Sequence, residues 1–307
     1  MTSIVIPAHN EERVIGRLLD ALLADGAAGG TDIVVVCNGC TDGTAAVAGA
    51  RGERVRVVEI PVPSKHEALR TGDAHARGFP RLYVDADVVI GAADVRALAD
   101  ALTGAGEPGG SAGGAGEAGA AGETAGNAPA KILAAAPARD IPLAGCAWRV
   151  RAYYRVWQRL PAVREGLFGR GVIAVSEEGY GRIAALPPLM ADDLAASLAF
   201  GPDERLVVDA ARVVVHPPRT WGDLIRRRIR SATSSAQLES AQGQGPDRPS
   251  ARTSKADLLG VVRREPRLLP GVVVFLAVAL AARRGSGKAI RDQDFGTWLR
   301  DESSRQG

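Results

Sequence analysis

The chain has 307 residues, of which 46% are hydrophobic, 24% charged and three cysteine. That leaves room for one large α/β unit or two small domains, and excludes a disulfide-stapled miniprotein or a largely disordered chain. The net charge of +3 conceals a split: residues 1–200 hold 19 Lys/Arg and 23 Asp/Glu, whereas residues 201–307 hold 19 and 12, so the last third is +7 and the rest −4. A basic C-terminal third suits phosphate-bearing partners, whether nucleotide, anionic lipid or nucleic acid. The few cysteines predict a reducing, cytoplasmic setting, and no cationic stretch precedes Ile4–Pro7 to suggest a signal peptide.

In chain order, Ser3–Pro7 reads as a strand, and Asn10-Glu11-Glu12 opens an amphipathic helix with Val14, Ile15, Leu18, Leu19 and Leu22 at helical spacing. Ile33–Val36 is a continuous apolar run of the kind buried on both faces, and Asn38–Gly43 is a turn into an Ala-rich helix. Arg54–Ile60 predicts a third strand, residues 65–78 a helix, and Arg81–Val84 a fourth strand running into Asp85-Ala86-Asp87. Strands separated by helix-length connections predict a mainly parallel sheet that binds ligands at its C-terminal strand ends. Residues 104–130, with ten Gly and nine Ala among 27, read as a flexible insertion. Beyond it come an apolar Lys131–Ala136, a helix over Arg151–Leu160, strands at Gly171–Val175, Leu206–Asp209 and Val213–Val215, and a basic helix over Trp221–Arg230. After a polar linker at 240–256, the apolar run Leu268–Ala282 is too short to cross a bilayer comfortably. It predicts either an interfacial helix with basic flanks, giving peripheral membrane contact at the inner face of the cell membrane, or a buried helix of the soluble fold.

The chemistry concentrates at few positions. Asp85 and Asp87, two residues apart where a buried strand runs out, can point the same way and share a hard divalent cation with a ligand's phosphates; Mg²⁺ or Mn²⁺ suits such oxygen donors. Asp192-Asp193 precedes an apolar helical stretch, where one aspartate suffices as a cap and the other is left as a candidate proton acceptor. Arg226, Arg227, Arg228 and Arg230 lie on one helix, with Arg226 or Arg227 sharing a face with Arg230 to meet a diphosphate. Nucleic acid is not expected there, since no aromatic residues interleave with the basic ones. His216 reads either as a loop histidine or as a neutral imidazole completing a metal site. Cys37-Asn-Gly-Cys40 has the spacing of a redox pair at a strand-to-helix turn.

Taken together, Ile4-Val-Ile-Pro-Ala-His-Asn-Glu-Glu12, Val34-Val-Val-Cys-Asn-Gly-Cys-Thr-Asp-Gly-Thr44 and Tyr83-Val-Asp-Ala-Asp87 resemble, in order and spacing, the family 2 glycosyltransferases of GT-A fold. The resemblance is clear over about residues 1–100, with weaker features to about 232. It implies an α/β fold with a Rossmann-like, mainly parallel sheet flanked by helices and a C-terminal helical extension. Residues 1–103 would form the nucleotide-sugar-binding half, 131–239 the acceptor half and 240–307 a linker with a helical region. It also implies a nucleotide-diphosphosugar donor with Pro7, Ala8, Asn10 and Glu11 near the nucleoside, and Asn38 where the family has a base-recognising aspartate. Lys65 resembles the family's Lys-containing loop near the donor, Asp85 and Asp87 its metal pair, and His216 its further metal ligand. Asp193, beside Asp192, takes the place of the general base, and Arg230 alone matches the Gln-x-x-Arg-Trp motif of processive relatives. The activity implied is metal-dependent, inverting transfer of a sugar to a hydroxyl acceptor whose identity the sequence leaves open. Two other readings are a sugar-phosphate nucleotidyltransferase and a catalytically silent nucleotide-sugar-binding scaffold. The former usually has a glycine-rich, basic loop after the first strand, whereas this chain has Pro7-Ala-His-Asn-Glu-Glu12.

Overall fold

The computed structural model describes residues 1–24, 30–104, 131–186, 192–242 and 253–291. Nearly all of the Gly/Ala-rich insertion and most of the polar linker lie outside these residues. Eight strands form one sheet: β1 (Thr2–Ala8), β2 (Thr31–Asn38), β3 (Arg56–Ile60), β4 (Arg81–Val84), β5 (Val88–Val89), β6 (Ala134–Asp140), β7 (Val172–Val175) and β8 (Arg205–Val215). Their order is β3-β2-β1-β4-β7-β6-β8-β5.

The first four strands are parallel, which brings their C-terminal ends to one edge. β1 and β2 are buried almost throughout because helices cover both faces. Alternate residues divide between them. Ile4, Ile6, Ile33 and Val35 join Ile15, Leu18, Leu19 and Leu22 of the Ile15–Leu23 helix, whereas Val34 and Val36 meet Ala68 of the Lys65–His75 helix. That second helix lies close: a Cβ on Gly72 would stand 2.2 Å from Val5 Cγ1.

β7 then enters antiparallel to β4, with Val84 opposite Val172, so the chain segment before β7 sits beside the segment after β4. The two predicted strands at 206–215 are one strand, β8. Its pairing with β6 slips between Pro137 and Ala138, where proline has no N–H to offer the ladder. β8 pairs antiparallel with β5, Val215 opposite Val88, which sets His216 beside Asp87.

The first helix begins at Ile15, later than the periodicity predicts, because Asn10 takes a left-handed φ of 52° and turns the chain before the helix can form. The basic helix runs longer than predicted, over Trp221–Gln242, and Lys255–Arg264 and Leu269–Arg291 follow. Those C-terminal helices share a second core with the Trp148–Trp157 helix, in which Phe275 stacks on Tyr153 at 5.3 Å and Val272, Val278, Val261 and Leu224 close around them.

Arg182 and Glu204 tie the Glu177–Ala184 helix to the start of β8 through two bonds of 2.7 and 2.8 Å. That guanidinium, helped by the Gly201 N–H, holds the Glu204 carboxyl at about 2, well below the ordinary carboxylate range. A carboxylate with a depressed folded pKa stabilises the fold above the unfolded value of about 4.3 and loses that contribution as pH falls toward its folded value. Acid titration followed by circular dichroism should therefore show wild type losing stability between about pH 4.3 and pH 2 more steeply than Glu204→Gln. Parallel curves would exclude this contribution.

Candidate active site

The C-terminal ends of β1 and β2 carry two loops joined by their polar groups. Thr41 N–H donates to Asn10 Oδ1 at 2.7 Å, Glu11 N–H to Thr44 Oγ1 at 2.8 Å and Gly43 N–H to Glu12 Oε2 at 3.0 Å. Pro7 and Ala8 are buried at the end of β1, and Glu11 is buried in the loop. Asn38, 2% exposed, donates from Nδ2 to the Ala8 carbonyl at 2.8 Å, while its buried Oδ1 has no hydrogen-bond partner. The amide's donor is thus used and its acceptor remains.

Cys37 lies in the core, and burial, reinforced by neighbouring Cys40, pushes its thiol up to about 12. That is the opposite of a reactive thiolate, and both cysteines are free.

Asp85 follows β4, and its N–H donates to the Gly171 carbonyl at 2.7 Å. Its Oδ1 pairs with Lys65 Nζ at 2.8 Å, each side chain a little over one-third exposed. Lys65 arrives there as the first residue of a helix whose N-cap, Ser64, accepts from Glu67 N–H. Asp87 stands within electrostatic reach of His216, whose pKa is lowered by burial and by Arg17 and raised by Asp87. Arg227, two turns into the basic helix, donates Nη1 to the His216 carbonyl at 3.2 Å. Arg230 follows on the same helix, with its own carbonyl accepting from Ser234. Arg226 instead pairs with Asp223.

Among the described residues, no three His, Cys, Asp or Glu side chains are grouped to hold a metal ion by themselves. Asp85 and Asp87 nevertheless fit a hard cation that completes its shell with phosphate and water. Their donors are carboxylate oxygens, and a cationic group, Lys65 Nζ, already stands against one of them.

On the other side of the same turn, Asp193 accepts at Oδ2 from Gly169 N–H and at Oδ1 from Leu194 N–H, both at 2.8 Å. Its carboxylate therefore fills a first-turn position in the Asp192–Leu198 helix while reaching the 169–171 segment. The side chain of Asp192 lies outside the described residues.

Sequence reasoning missed the segment that joins these acids, Gly169-Arg170-Gly171. Gly169 and Gly171 both have positive φ, 66° and 67°, and a Cβ on Gly171 would stand 2.5 Å from Val88 Cγ1. Arg170, 2% exposed, donates to the carbonyls of Gly166, Pro137 and Arg164 at 3.1, 2.8 and 2.8 Å. Arg139 stacks over Trp157 at 4.7 Å and gives Nη2 to the carbonyls of Val163 and Phe168, while its Nη1 is buried without a hydrogen-bond partner. Burial and the nearby Arg170 lower the Arg139 pKa to about 9, opposed by Asp193. The available signal was a Gly-x-Gly immediately before an apolar strand.

The overall fold is that of GT-A glycosyltransferases. It matches a mannosyltransferase from Pyrobaculum calidifontis solved with GDP-Man and Mn²⁺ (TM-score 0.54, 20% identity, 99% of this chain and 84% of that one). It also matches glucosyl-3-phosphoglycerate synthase from Mycobacterium tuberculosis solved with Mn²⁺, UDP and phosphoglyceric acid (TM-score 0.52, 21% identity, 80% of each chain). Within that fold, residues 3–108 match the family model of glycosyl transferase family 2, which bears out the resemblance in the segment that carries its motifs. The chain is 37% identical over 95 residues to glucosyl-3-phosphoglycerate synthase of Mycolicibacterium paratuberculosis, covering 28% of either protein. It is 38% identical over 100 residues to dolichyl-phosphate beta-glucosyltransferase of Drosophila melanogaster, covering 28% of this chain and 30% of that protein. The chain thus spans less than a third of the length of either relative.

Gly171→Ala should destabilise the protein by about 2–4 kcal/mol, combining left-handed strain with the Val88 clash. Gly169→Ala, whose nearest neighbour would be Trp157 at 3.6 Å, should cost only about 1 kcal/mol. Urea unfolding of the two variants tests the difference, and equal losses would refute the close approach at Gly171.

Proposed function

We propose that the protein is an inverting glycosyltransferase that moves a sugar from a nucleoside diphosphate to an acceptor hydroxyl. The observation that carries this reading is the attachment of both acids to one short turn, Asp85 to the Gly171 carbonyl and Asp193 to the Gly169 N–H. The Cα atoms of Gly169 and Gly171 are at most about 7 Å apart, which brings the Asp85 backbone and the Asp193 carboxylate to neighbouring positions, where a phosphate-side carboxylate and a proton acceptor would flank one reaction centre. Such an arrangement suits displacement at a carbon between them.

The donor would lie along the ends of β1, β2 and β4, with Pro7, Ala8, Asn10, Glu11 and Asn38 at the nucleoside and Lys65 at the diphosphate. Asp85 and Asp87, with His216 beside them, would hold Mg²⁺ or Mn²⁺, which when bound stabilises negative charge on the departing diphosphate. As the acceptor oxygen bonds to the anomeric carbon, the carbon–oxygen bond to the diphosphate breaks, and the hydroxyl proton passes to Asp193. Asp193 is kept in place as an acceptor by its two N–H bonds. Arg230 offsets charge on the nucleoside diphosphate that leaves.

Asn38 further selects the base. With Nδ2 committed to Ala8 and the buried Oδ1 without a hydrogen-bond partner, it is left to accept from an N–H on a base edge, the ring N–H of uracil, thymine or guanine or the amino group of cytosine or adenine. Thermal unfolding with Mn²⁺ and each of UDP, dTDP, GDP, CDP and ADP should accordingly rise most with the base whose N–H meets Oδ1, and Asn38→Ala should reduce that rise. Equal shifts from all five would remove Asn38 from base selection. With a donor that gives turnover, Asp193→Asn should lower kcat by roughly 10²- to 10⁴-fold while leaving nucleotide binding intact. Unchanged turnover would overturn the assignment of the base, and release of pyrophosphate rather than nucleoside diphosphate would favour a nucleotidyltransferase.

A further inference from the structure

The Leu269–Arg291 helix has two apolar faces, and the fold uses one of them. Val272, Phe275 and Val278 are buried in the second core, and Ala282 is buried on the same side. On the opposite side, Leu269, Val273, Leu276 and Leu280 are 55%, 63%, 51% and 50% exposed. Their spacing of four, three and four residues places them on one helix face. No charged or hydrogen-bonding side chain occurs between Leu269 and Ala282. The exposed strip extends over roughly 17 Å at 1.5 Å per residue. Solvated helices normally carry charges on such a face.

The charges sit at its ends instead. Arg263, Arg264 and Arg267 precede the strip, Arg283 and Arg284 follow it, and all five are exposed. The nearby acid Glu265 is engaged by Arg159 at 2.6 Å.

By length and composition Pro266–Gly287 could cross a membrane, but its inner face is packed against Tyr153 of the Trp148–Trp157 helix and its last turns carry two arginines. A bilayer core of about 30 Å also exceeds the apolar stretch. A second copy of the chain is a poor occupant as well. Parallel pairing along the strip would set Arg283 and Arg284 against themselves, antiparallel pairing would set them against Arg263, Arg264 and Arg267, and the strip offers no charged flanking positions to fix a register.

We propose that this face is a docking surface for an anionic lipid bilayer, lying in the plane of the interface with Leu269, Val273, Leu276 and Leu280 inserted and the two arginine groups on lipid headgroups. It depends on none of the residues assigned to sugar transfer, so it stands or falls separately from that reading.

Flotation of the full chain with phosphatidylcholine vesicles, with or without 30% phosphatidylglycerol, provides the test. Wild type should float with the anionic vesicles and remain at the bottom with neutral ones. Val273→Asp/Leu276→Asp should abolish flotation, and Arg283→Gln/Arg284→Gln should weaken partition roughly 30-fold. Both positions of the first pair face outward, so its thermal unfolding should match wild type. A pair that unfolds at lower temperature is replaced by Val273→Ser/Leu276→Ser, with the same expectation. Flotation that survives these changes, equal flotation on neutral vesicles, or no flotation of wild type would overturn the proposal. So would a dimer, seen by light scattering, that the Val273/Leu276 changes dissociate, because the face would then belong to a second copy.

Discussion

One buried guanidinium organises the turn to which both Asp85 and Asp193 are attached. Arg170 is enclosed, and burial lowers its pKa to about 10 against the opposing pull of Asp209. A buried charge persists only where hydrogen bonds replace its hydration. Here the replacements are main-chain carbonyls drawn from residues 137, 164 and 166. The consequence is mutual. The carbonyls keep the charge in place, and the charge ties two separated stretches of backbone, at 137 and at 164–166, to the two glycines on either side of it. Because Gly169 then offers an N–H to the Asp193 carboxylate and Gly171 a carbonyl to the Asp85 main-chain N–H, one turn ties the two acidic segments together.

The sheet supplies the other constraint. A parallel β3-β2-β1-β4 array alone would present only loops that follow strands, as in other open α/β sheets. Entry of β7 antiparallel to β4 adds a loop that precedes a strand, and the pairing of β5 with β8 adds the end of β8. Four chain segments far apart in sequence thus converge after β4: Asp85 and Asp87, the 169–171 turn, His216, and Lys65 from the helix after β3.

Much of this was legible in the sequence where the physics is local. Ile33–Val36 could be read as a buried strand because its apolar run is continuous, and Asp85-Ala-Asp87 stood out because two carboxylates at the end of such a strand have few structural uses. Lys65 was expected near the donor and lies against Asp85. What could not be read depends on long-range pairing. Nothing near Arg170 in the chain shows that Pro137, 33 positions away, would supply a carbonyl. Arg227, rather than another member of the basic cluster, touches His216 because of where the helix packs, not because of its spacing. The two strands predicted at 206–215 merge because β8 stays extended past the slip at Pro137, and a pairing slip leaves no mark in a single strand's composition.

The C-terminal helices are more than an appendage to this arrangement. The Trp221–Gln242 helix carries Arg227 at the His216 carbonyl, and farther along its Ile229 meets the last long helix so closely that a Cβ on Gly285 would stand 2.5 Å from Ile229 Cδ1. Glycine at 285 is what lets those two helices approach. The second core therefore runs without interruption from the face bearing Val273 and Leu276, through Phe275 and Tyr153, to the helix that borders His216. Close-packed interiors have few voids and low compressibility, so such a path behaves as one body. A surface held by the outer face of the last helix would for that reason be held at a fixed orientation to the helix that borders His216.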